Sequence, residues 1–561
     1  MPIHSRWQIP LETCSLQTYI FGPPSSQLPT PHKPAFLDAS RPETHFLTHQ
    51  SFKTWSQRLG AGLQKAGLEP GDRVLLFSGN SIFFPVVFMG ILMAGGIFTG
   101  ANPGYVAREL AYQLKDSEAK FLICADGSLE MGIEAAESIG MSRDRIFRFD
   151  DELFEGTGGS RLGVRNWNVL VESEDVGKGF EWYEVPDPIE DTCCLNYSSG
   201  TTGVPKGVMI THFAYVANTT QYAHLQELHV DIVERNKKAK WLCYLPMYHA
   251  MAQTIFIAGG PKRGIPVYVM KKFDFVQMLE SVQKFRITSL NMVPPIVVAL
   301  AKSPLSRKYD LSSVTDLGSG AAPLSGEVVK EAEALWPKGN VHLGQGWGMT
   351  EATCSILGCD PNKREPSSSV GELNANCSAM IMSTDDGKTE LPIGERGEIW
   401  VQAPNLMKGY WKKPTATSEM FVDLPSGRWM RTGDIAYVDD EGRFFIVDRM
   451  KELIKVKGNQ VAPAELEAVL LEHPHLADAC VVGVTIQGEE VPRAYVVPKE
   501  GKSVDEAQVA GWLAERVSRH KRLTGGVVLV DGVPKNPSGK ILRKVLRERA
   551  KQEVGDKDAK L

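Results

Sequence analysis

The chain has 561 residues, enough for roughly three or four domains at about 150 residues each and for a large buried core. Hydrophobic residues make up 43% and charged residues 23%, ordinary globular usage that excludes a mostly disordered, collagen-like or low-complexity chain. Against 62 lysines and arginines stand 67 aspartates and glutamates, a net charge of -5 that gives no electrostatic basis for binding nucleic acid or an acidic membrane surface.

In chain order, residues 1 to about 50 are proline-rich and read as irregular, with no apolar run of the kind a signal peptide needs. From Ser51 helical and strand patterns alternate: Phe52–Ala66 is helical, Val74–Phe77 strand-like, Glu109–Asp116 helical and Phe121–Cys124 strand-like. The uncharged stretch from Ile82 to Phe98 is too short for a membrane span of about 20 apolar residues and is broken by Pro85, Gly90, Gly95 and Gly96. It reads as a buried helix between two buried strands. The same rhythm returns from Val216 to Leu343, with strands expected at Lys240–Leu245, Pro266–Met270 and Ser289–Val293. Such alternation predicts α/β layers on mostly parallel sheets.

Between Gly371 and Val447 short strands are divided by turn signals such as Asp386-Gly387 and Asp440-Glu441-Gly442, which predicts a small antiparallel β unit. After Arg449 a compact α+β segment is expected: a helix over Pro463–Glu472, paired strands over Ala479–Val484 and Arg493–Val497, a helix over Asp505–Ser518 and a last helix after Ser538. The predicted division is therefore a large N-terminal body, residues 1–449, of layered α/β subdomains plus a β unit, and a small C-terminal domain, residues 450–561. Nine cysteines, an odd number without a C-x-x-C pair, argue against a disulfide framework or a zinc site and for a reducing compartment.

Five segments carry chemistry. In Tyr197-Ser198-Ser199-Gly200-Thr201-Thr202-Gly203-Val204-Pro205-Lys206-Gly207, four hydroxyls, three glycines and a lysine follow an apolar strand. Such a loop aims N–H and O–H donors at polyphosphate, and its lysine adds charge. It lacks the spacing of a Walker A loop. Gly344-Gln345-Gly346-Trp347-Gly348-Met349-Thr350-Glu351 lets a planar ligand approach the backbone and offers Glu351 as a Mg²⁺ ligand. In Arg431-Thr432-Gly433-Asp434 a fixed carboxylate can accept two ribose hydroxyls, although Gly-Asp alone is more often a hairpin turn. Asp448 to Gln460 interleaves charged and apolar residues, as an exposed strand also does. Pro534-Lys535-Asn536-Pro537-Ser538-Gly539-Lys540 is a turn before the basic helix Ile541–Ala550, with Ser538 as a potential N-cap.

In this order and spacing the five segments resemble the adenylate-forming superfamily of acyl-CoA synthetases, luciferases and peptide-synthetase adenylation domains, and most closely its 4-coumarate:CoA ligase-like acyl-CoA ligase branch. The resemblance extends from about residue 50 to 550. It implies an ATP- and Mg²⁺-dependent enzyme that joins a carboxylate to the α-phosphorus of ATP, releases pyrophosphate and passes the acyl group to the thiol of CoA. Positioning and charge neutralisation dominate such chemistry. By resemblance Ser198, Ser199, Gly200, Thr201, Thr202, Gly203 and Lys206 hold the β/γ-phosphates, and Gln345, Gly346 and Thr350 contact the nucleotide. Glu351 matches the Mg²⁺ ligand, Asp434 and Arg449 the ribose contacts, and Lys540 the lysine that bridges carboxylate and α-phosphate. The C-terminal domain is expected to be mobile, with Lys451 at its hinge, Lys455 and Gln460 facing the adenylate in one pose, and Lys457, Gly458 and Lys272 as CoA contacts.

Specificity is expected in the acyl pocket. His249, in Leu245-Pro246-Met247-Tyr248-His249-Ala250-Met251, matches the histidine that lines the tunnel to the carboxylate, and Met251, Ile255, Gly318, Ala321 and Gly358 match further pocket positions. Methionine at 251, where hydroxycinnamate ligases commonly place tyrosine, makes the expected pocket more apolar. A medium-chain fatty or arylalkanoic acid is therefore expected in preference to 4-coumarate. Trp347 replaces a smaller aromatic residue. Ala559-Lys560-Leu561 is one conservative change from the peroxisomal S-K-L signal, which implies a peroxisomal location and an import receptor as partner, with the cytoplasm as the alternative. Two other functions fit the same fold: adenylation followed by loading of a separate carrier-protein thiol, no fused carrier being expected after Lys540, and a non-catalytic ligand sensor. The sensor predicts loss of catalytic residues, yet Lys206, Glu351, Asp434, Arg449 and Lys540 are all present.

Overall fold

The computed structural model describes residues 2–558 except 152–158, 199–204, 323, 338, 340, 457–458, 487–488 and 537–538, with backbone alone at 459–460 and 555–558. Among the expected site residues, Ser199, Gly200, Thr201, Thr202, Gly203, Lys457 and Gly458 lie outside the described residues, as does the end Ala559-Lys560-Leu561.

Two large sheets form the N-terminal body. In the 8-stranded one, Arg73–Phe77 lies parallel to Ile97–Ala101 on one side and to Ala119–Ala125 on the other. The sheet continues through Thr192–Ser198, on which Lys206–Thr211 folds back antiparallel. The uncharged stretch is the helix Phe84–Met93, every residue of which is buried, between those first two strands. No helix among the described residues is long and apolar enough to cross a membrane. The 7-stranded sheet runs parallel from the edge strand Leu343–Gln345 through Asp316–Ser319, Ser289–Met292, Trp241–Cys243 and Val267–Val269 to Pro34–Asp38. One apolar cluster, including Phe83, Phe84, Phe88, Phe98 and Tyr215, fills the space between layers.

The first fifty residues are more ordered than the prolines imply. Pro34–Asp38 and Phe46–Thr48 finish the second sheet, and Ile3–His4 pairs with Ser378–Met382. Prolines are tolerated there because they stand before strands or at an edge, where no ladder donor is lost.

The β unit is present as an antiparallel sheet in which Ser378–Met382, Gly397–Gln402, Gly427–Val438 and Phe444–Arg449 pair in sequence order. Past Arg449 come the hairpin of Ile454–Val456 with Asn459–Val461, the helix Pro463–Leu471, the long pair Leu476–Ile486 and Glu489–Pro498, the helix Glu506–Ala514 and the final helix Arg543–Asp558. Arg543 ties these parts together: its guanidinium donates to Glu452 at 2.5 Å and to Glu467 at 2.5 Å, all three being largely buried. Removing one partner of such a buried pair costs about 3–5 kcal/mol because a charge is left uncompensated. All nine cysteines are free thiols.

Candidate active site

Both sheets turn strand ends toward one cavity of about 730 Å³. In open α/β sheets ligands collect beyond the carboxyl ends of the strands. Ser198, at such an end, is the register partner of Lys206, so the two clasp the base of the glycine- and hydroxyl-rich loop. Ser198 Oγ donates to Glu351 Oε1 at 2.9 Å, and the Tyr410 hydroxyl donates to the same oxygen at 2.9 Å. Lys206 Nζ lies 4.9 Å from the centre of the Tyr410 ring.

Glu351 sits on the single turn Thr350–Ala352, and the chain then makes a sharp reversal. Thr353 has φ 62° and ψ -63°, and Cys354 N donates to Ala352 O at 2.6 Å, which is a strained γ-turn on a β-branched residue. The turn persists because Asn405, wholly buried, clamps it: Asn405 Nδ2 donates to Ala352 O at 2.8 Å and Thr353 Oγ1 donates to Asn405 O at 2.8 Å. Met407 N donates to Glu351 O at 2.8 Å, which fixes the acidic residue itself. A Cβ on Gly348 would stand 1.8 Å from Cys354 O, so this glycine makes room for the turn rather than for a ligand.

Glu351 is 5% exposed, and its described hydrogen-bond partners are two neutral hydroxyls on one oxygen. A hard dication that takes one carboxylate plus substrate and water oxygens fits such a group. No cluster of three or more His, Cys, Asp or Glu side chains among the described residues is arranged to hold a metal, so an all-protein cage is not available there.

Across the cavity Asp434 and Arg449 are register partners on adjacent antiparallel strands. Asp434 Oδ2 accepts from Trp347 Nε1 at 2.8 Å, and Oδ1 faces Arg449 Nε at 3.5 Å. Burial raises the Asp434 carboxyl above the ordinary range, against the pull of Arg449 and the indole hydrogen bond. The larger aromatic at 347 thus has a use that the sequence did not disclose: its N–H reaches the acid that faces the arginine. Gln345 Nε2 donates to Ser367 O at 2.5 Å, and Gly346 N donates to Ser319 O at 2.9 Å, which holds the edge strand against its neighbour.

The C-terminal domain contributes Lys540. Its backbone N donates to Asn536 Oδ1 at 2.8 Å, and Asn536 N donates to Lys540 O at 2.9 Å, so the loop is closed on itself. The preceding Gly539 has φ 78°, and a Cβ there would lie 2.9 Å from Pro295 Cδ, so the loop docks hard against the larger body. Burial and the charge of Arg449 push the Lys540 ammonium down to about 8, while Asp434, Glu452 and Glu351 pull it back up. Burial, helped by Lys540, pushes the His249 imidazole down to about 4, so it is neutral at ordinary pH.

The part of the cavity expected from the sequence to take the acyl group is assembled from other elements. His249 occupies the N-cap position, without a side-chain capping bond, of a short helix Ala250–Ala252 that passes into the π-helix Gln253–Gly259, on which Ile255 is buried. Such widened turns gather at functional sites. His249, Met251, Ile255, Gly318, Ala321 and Gly358 all line the cavity, and Ala321 has φ 74°, a backbone that L side chains rarely adopt. Ser198, Lys206, Gln345, Gly346, Thr350, Glu351, Asp434, Arg449, Lys451 and Lys540 line it too. Lys455 and Lys272 do not: both are exposed and outside it, and Gln460, the register partner of Lys455, has only its backbone described. The walls are also more polar than the sequence implies, because Tyr222 and Asn291, far from every motif, join them.

Comparisons with known proteins agree with this architecture. The AMP-binding enzyme family matches residues 26–411, and the AMP-binding enzyme C-terminal domain matches residues 465–540. 4-Coumarate--CoA ligase 2 of Nicotiana tabacum is 37% identical over 522 residues, 92% of this chain and 91% of the relative. The ATP-bound crystal structure of MatB from Rhodopseudomonas palustris superposes with a TM-score of 0.82 at 26% identity, covering 97% of this chain and 100% of that one. The apo structure of the same protein covers the same shares at the same identity but superposes with a TM-score of 0.71.

Proposed function

The chain belongs to the AMP-binding enzyme family, and from that premise we propose how its cavity performs the reaction of an ATP-dependent, AMP-forming acyl-CoA ligase. The observation that carries the reading is the entry of Lys540, from the C-terminal domain, into the cavity that also holds Glu351, Asp434, Arg449 and the acyl wall. A carboxylate, an α-phosphate and a ribose can therefore meet at one place. The better superposition on ATP-bound than on apo MatB supports the same pose of the two domains.

In the first half-reaction a carboxylate oxygen forms a bond to the α-phosphorus and the bond to pyrophosphate breaks. Lys540 neutralises the charge shared by the carboxylate and the α-phosphate, and its buried position makes that charge more effective. Asp434 accepts from the ribose hydroxyls, with Trp347 and Arg449 holding its two oxygens in place. Ser198, Lys206 and the loop between them receive the β- and γ-phosphates. Glu351 is suited to hold Mg²⁺, which when bound offsets phosphate charge. Neutral His249 stands between the acyl wall and the reacting carboxylate and adds no competing positive charge. In the second half-reaction the CoA thiol attacks the acyl carbon and AMP leaves; Lys455, Lys457, Gly458, Gln460 and Lys272 are proposed for that step on sequence resemblance.

The proposed acid is a medium-chain fatty or arylalkanoic acid, supported by Met251 and Ile255 on the wall and by Gly318 on the floor. Pyrophosphate release across a panel of carboxylic acids, with and without CoA, tests the assignment. The expected result is acid-dependent release and a thioester only when CoA is present. ATP binding without turnover of any acid would sink it. A peroxisomal address is proposed on the tripeptide Ala559-Lys560-Leu561 alone; puncta unchanged by its deletion in a tagged protein would refute it.

A further inference from the structure

The acyl side of the cavity contains a hydrogen-bonding group with nothing to bond. Asn291, on the strand Ser289–Met292, is 7% exposed and lines the cavity. Its Oδ1 accepts from the Tyr222 hydroxyl at 3.4 Å, while its Nδ2 is buried without a partner. Buried amide groups are nearly always paired, and one left over beside a cavity calls for a ligand atom. Turning the amide over would exchange an orphan donor for an orphan acceptor. A hydroxyl oxygen satisfies either arrangement, and a carbonyl oxygen satisfies the one present.

The surroundings are shaped to bring such an atom there. Asn291 is in register with Gly318, and Gly318 with Gly344, so the floor beside the amide carries no side chains. A Cβ on Gly318 would stand 3.1 Å from Asn291 Oδ1, so that glycine leaves room beside the amide on its oxygen side. The next inward-facing pair on the same two strands is Ser289 with Asp316. There the carboxylate is already occupied, by His229 Nε2 at 3.0 Å, Arg235 Nη1 at 3.0 Å and Thr315 Oγ1 at 2.7 Å. Two polar groups on these two strands therefore still have a hydrogen bond to give, Asn291 Nδ2 and Ser319 Oγ, and of these Asn291 is the one in register with the side-chain-free floor of Gly318 and Gly344.

We propose that Asn291 is a specificity-determining residue that selects carboxylic acids bearing a hydroxyl or carbonyl oxygen on the acyl chain, over acids with a methylene at the same place. The inference rests on the acyl-CoA ligase reading and narrows its substrate class. A site built to hydrogen-bond a substrate oxygen rejects the analogue lacking it far more strongly than an apolar pocket rejects one methylene.

The test measures pyrophosphate release by the full chain with ATP, Mg²⁺ and CoA. The acids are straight-chain and arylalkanoic acids, each paired with analogues carrying one hydroxyl or keto group at successive carbons. At the carbon that meets Asn291, the oxygenated acid should exceed its parent by about tenfold or more in kcat/KM. In Asn291→Leu that ratio should collapse toward one or invert. Gly318→Ala, which presses on the amide from the side, should reduce the ratio less. The readout is a ratio between two acids on one protein, so a general loss of folding leaves it unmoved. Equal use of parent and oxygenated acids at every position, or an unchanged ratio in Asn291→Leu, would overturn the inference while leaving the ligase assignment intact. Failure of every acid to release pyrophosphate would instead bring down the ligase assignment and this inference with it.

Discussion

The two sides of the cavity are made in different ways. On the side proposed for the nucleotide, Glu351, Asp434, Arg449 and Lys540 are charged, each belongs to a short motif, and each is held by backbone or a spatial neighbour such as Asn405, Trp347 or Asn536. On the side proposed for the acid, Met251, Ile255, Gly318, Tyr222 and Asn291 are uncharged and come from helices and strands distant in sequence. Charge on a phosphate must be met at fixed points, so its chemistry concentrates in loops. An acyl chain is recognised by shape and one or two hydrogen bonds, so its chemistry is spread over the walls. Because the two sets of residues come from different segments, a substitution on one side should leave the chemistry of the other in place, and single variants test that independence.

The largest effect is expected from Lys540→Ala. Losing a preorganised charge at the reacting centre should lower adenylate formation by about 10³-fold. Thioester formation from supplied acyl-AMP should stay near the unsubstituted rate, measured as CoA consumption. Equal loss in both halves would contradict the role given to Lys540. Next, Glu351→Gln keeps the shape but removes the charge. It should cost about 10–100-fold and raise the Mg²⁺ concentration needed for half-maximal pyrophosphate release, without moving the preference among acids. Trp347→Phe removes the donor to Asp434 Oδ2. The ATP KM should rise about tenfold, as for a hydrogen bond to a charged group, with acid selectivity unchanged.

The pH dependence probes the same side. In its proposed role Lys540 neutralises charge only when protonated, and its environment brings it down to about 8. The kcat/KM for adenylation should therefore be full below about pH 8 and fall as pH rises through that value, by roughly tenfold one unit above it. Lys540→Arg, which stays protonated, should flatten that limb even where its absolute rate is lower. An alkaline limb of the same shape in Lys540→Arg would assign the titration to another group.

This division also explains what could be read from the sequence. The alternation of strands and helices, the β unit and the later α+β segment are visible because their hydrophobic periods are local. The residues proposed for the nucleotide are visible because they come in contiguous motifs. The contacts that complete the site are not: Tyr222 meets Asn291 across 69 residues, and Trp347 meets Asp434 across 87. No periodicity encodes such a pairing. The early strand Pro34–Asp38 was hidden for another reason: its sequence PAFLD shows no alternation, since four of its five residues are buried. The γ-turn at Thr353 was hidden because a β-branched residue ordinarily argues against that backbone, and only the clamp by Asn405 makes it tenable.

The smallest effect, and the sharpest test of separation, is expected at Met251. Its side chain approaches the Gly320 position, where a Cβ would lie 4.0 Å from Met251 Cε, so it fills space between the acyl wall and the end of the strand Asp316–Ser319. Met251→Ala removes that filling but touches none of the charged groups. Methionine is flexible, so part of its contact is replaceable by rearrangement and the loss should be smaller than for a rigid side chain. Acid KM should rise a few-fold for short chains and less for bulky arylalkanoic acids, which reoccupy the vacated space. ATP KM, the Mg²⁺ requirement and the alkaline limb should stay where they were. A matched rise in ATP KM would mean that the two sides share a mechanical element after all. The helix beginning at Ala250, with His249 at its N-cap position, is an element that could carry such coupling, because it places His249 and Met251 on one short stretch of backbone.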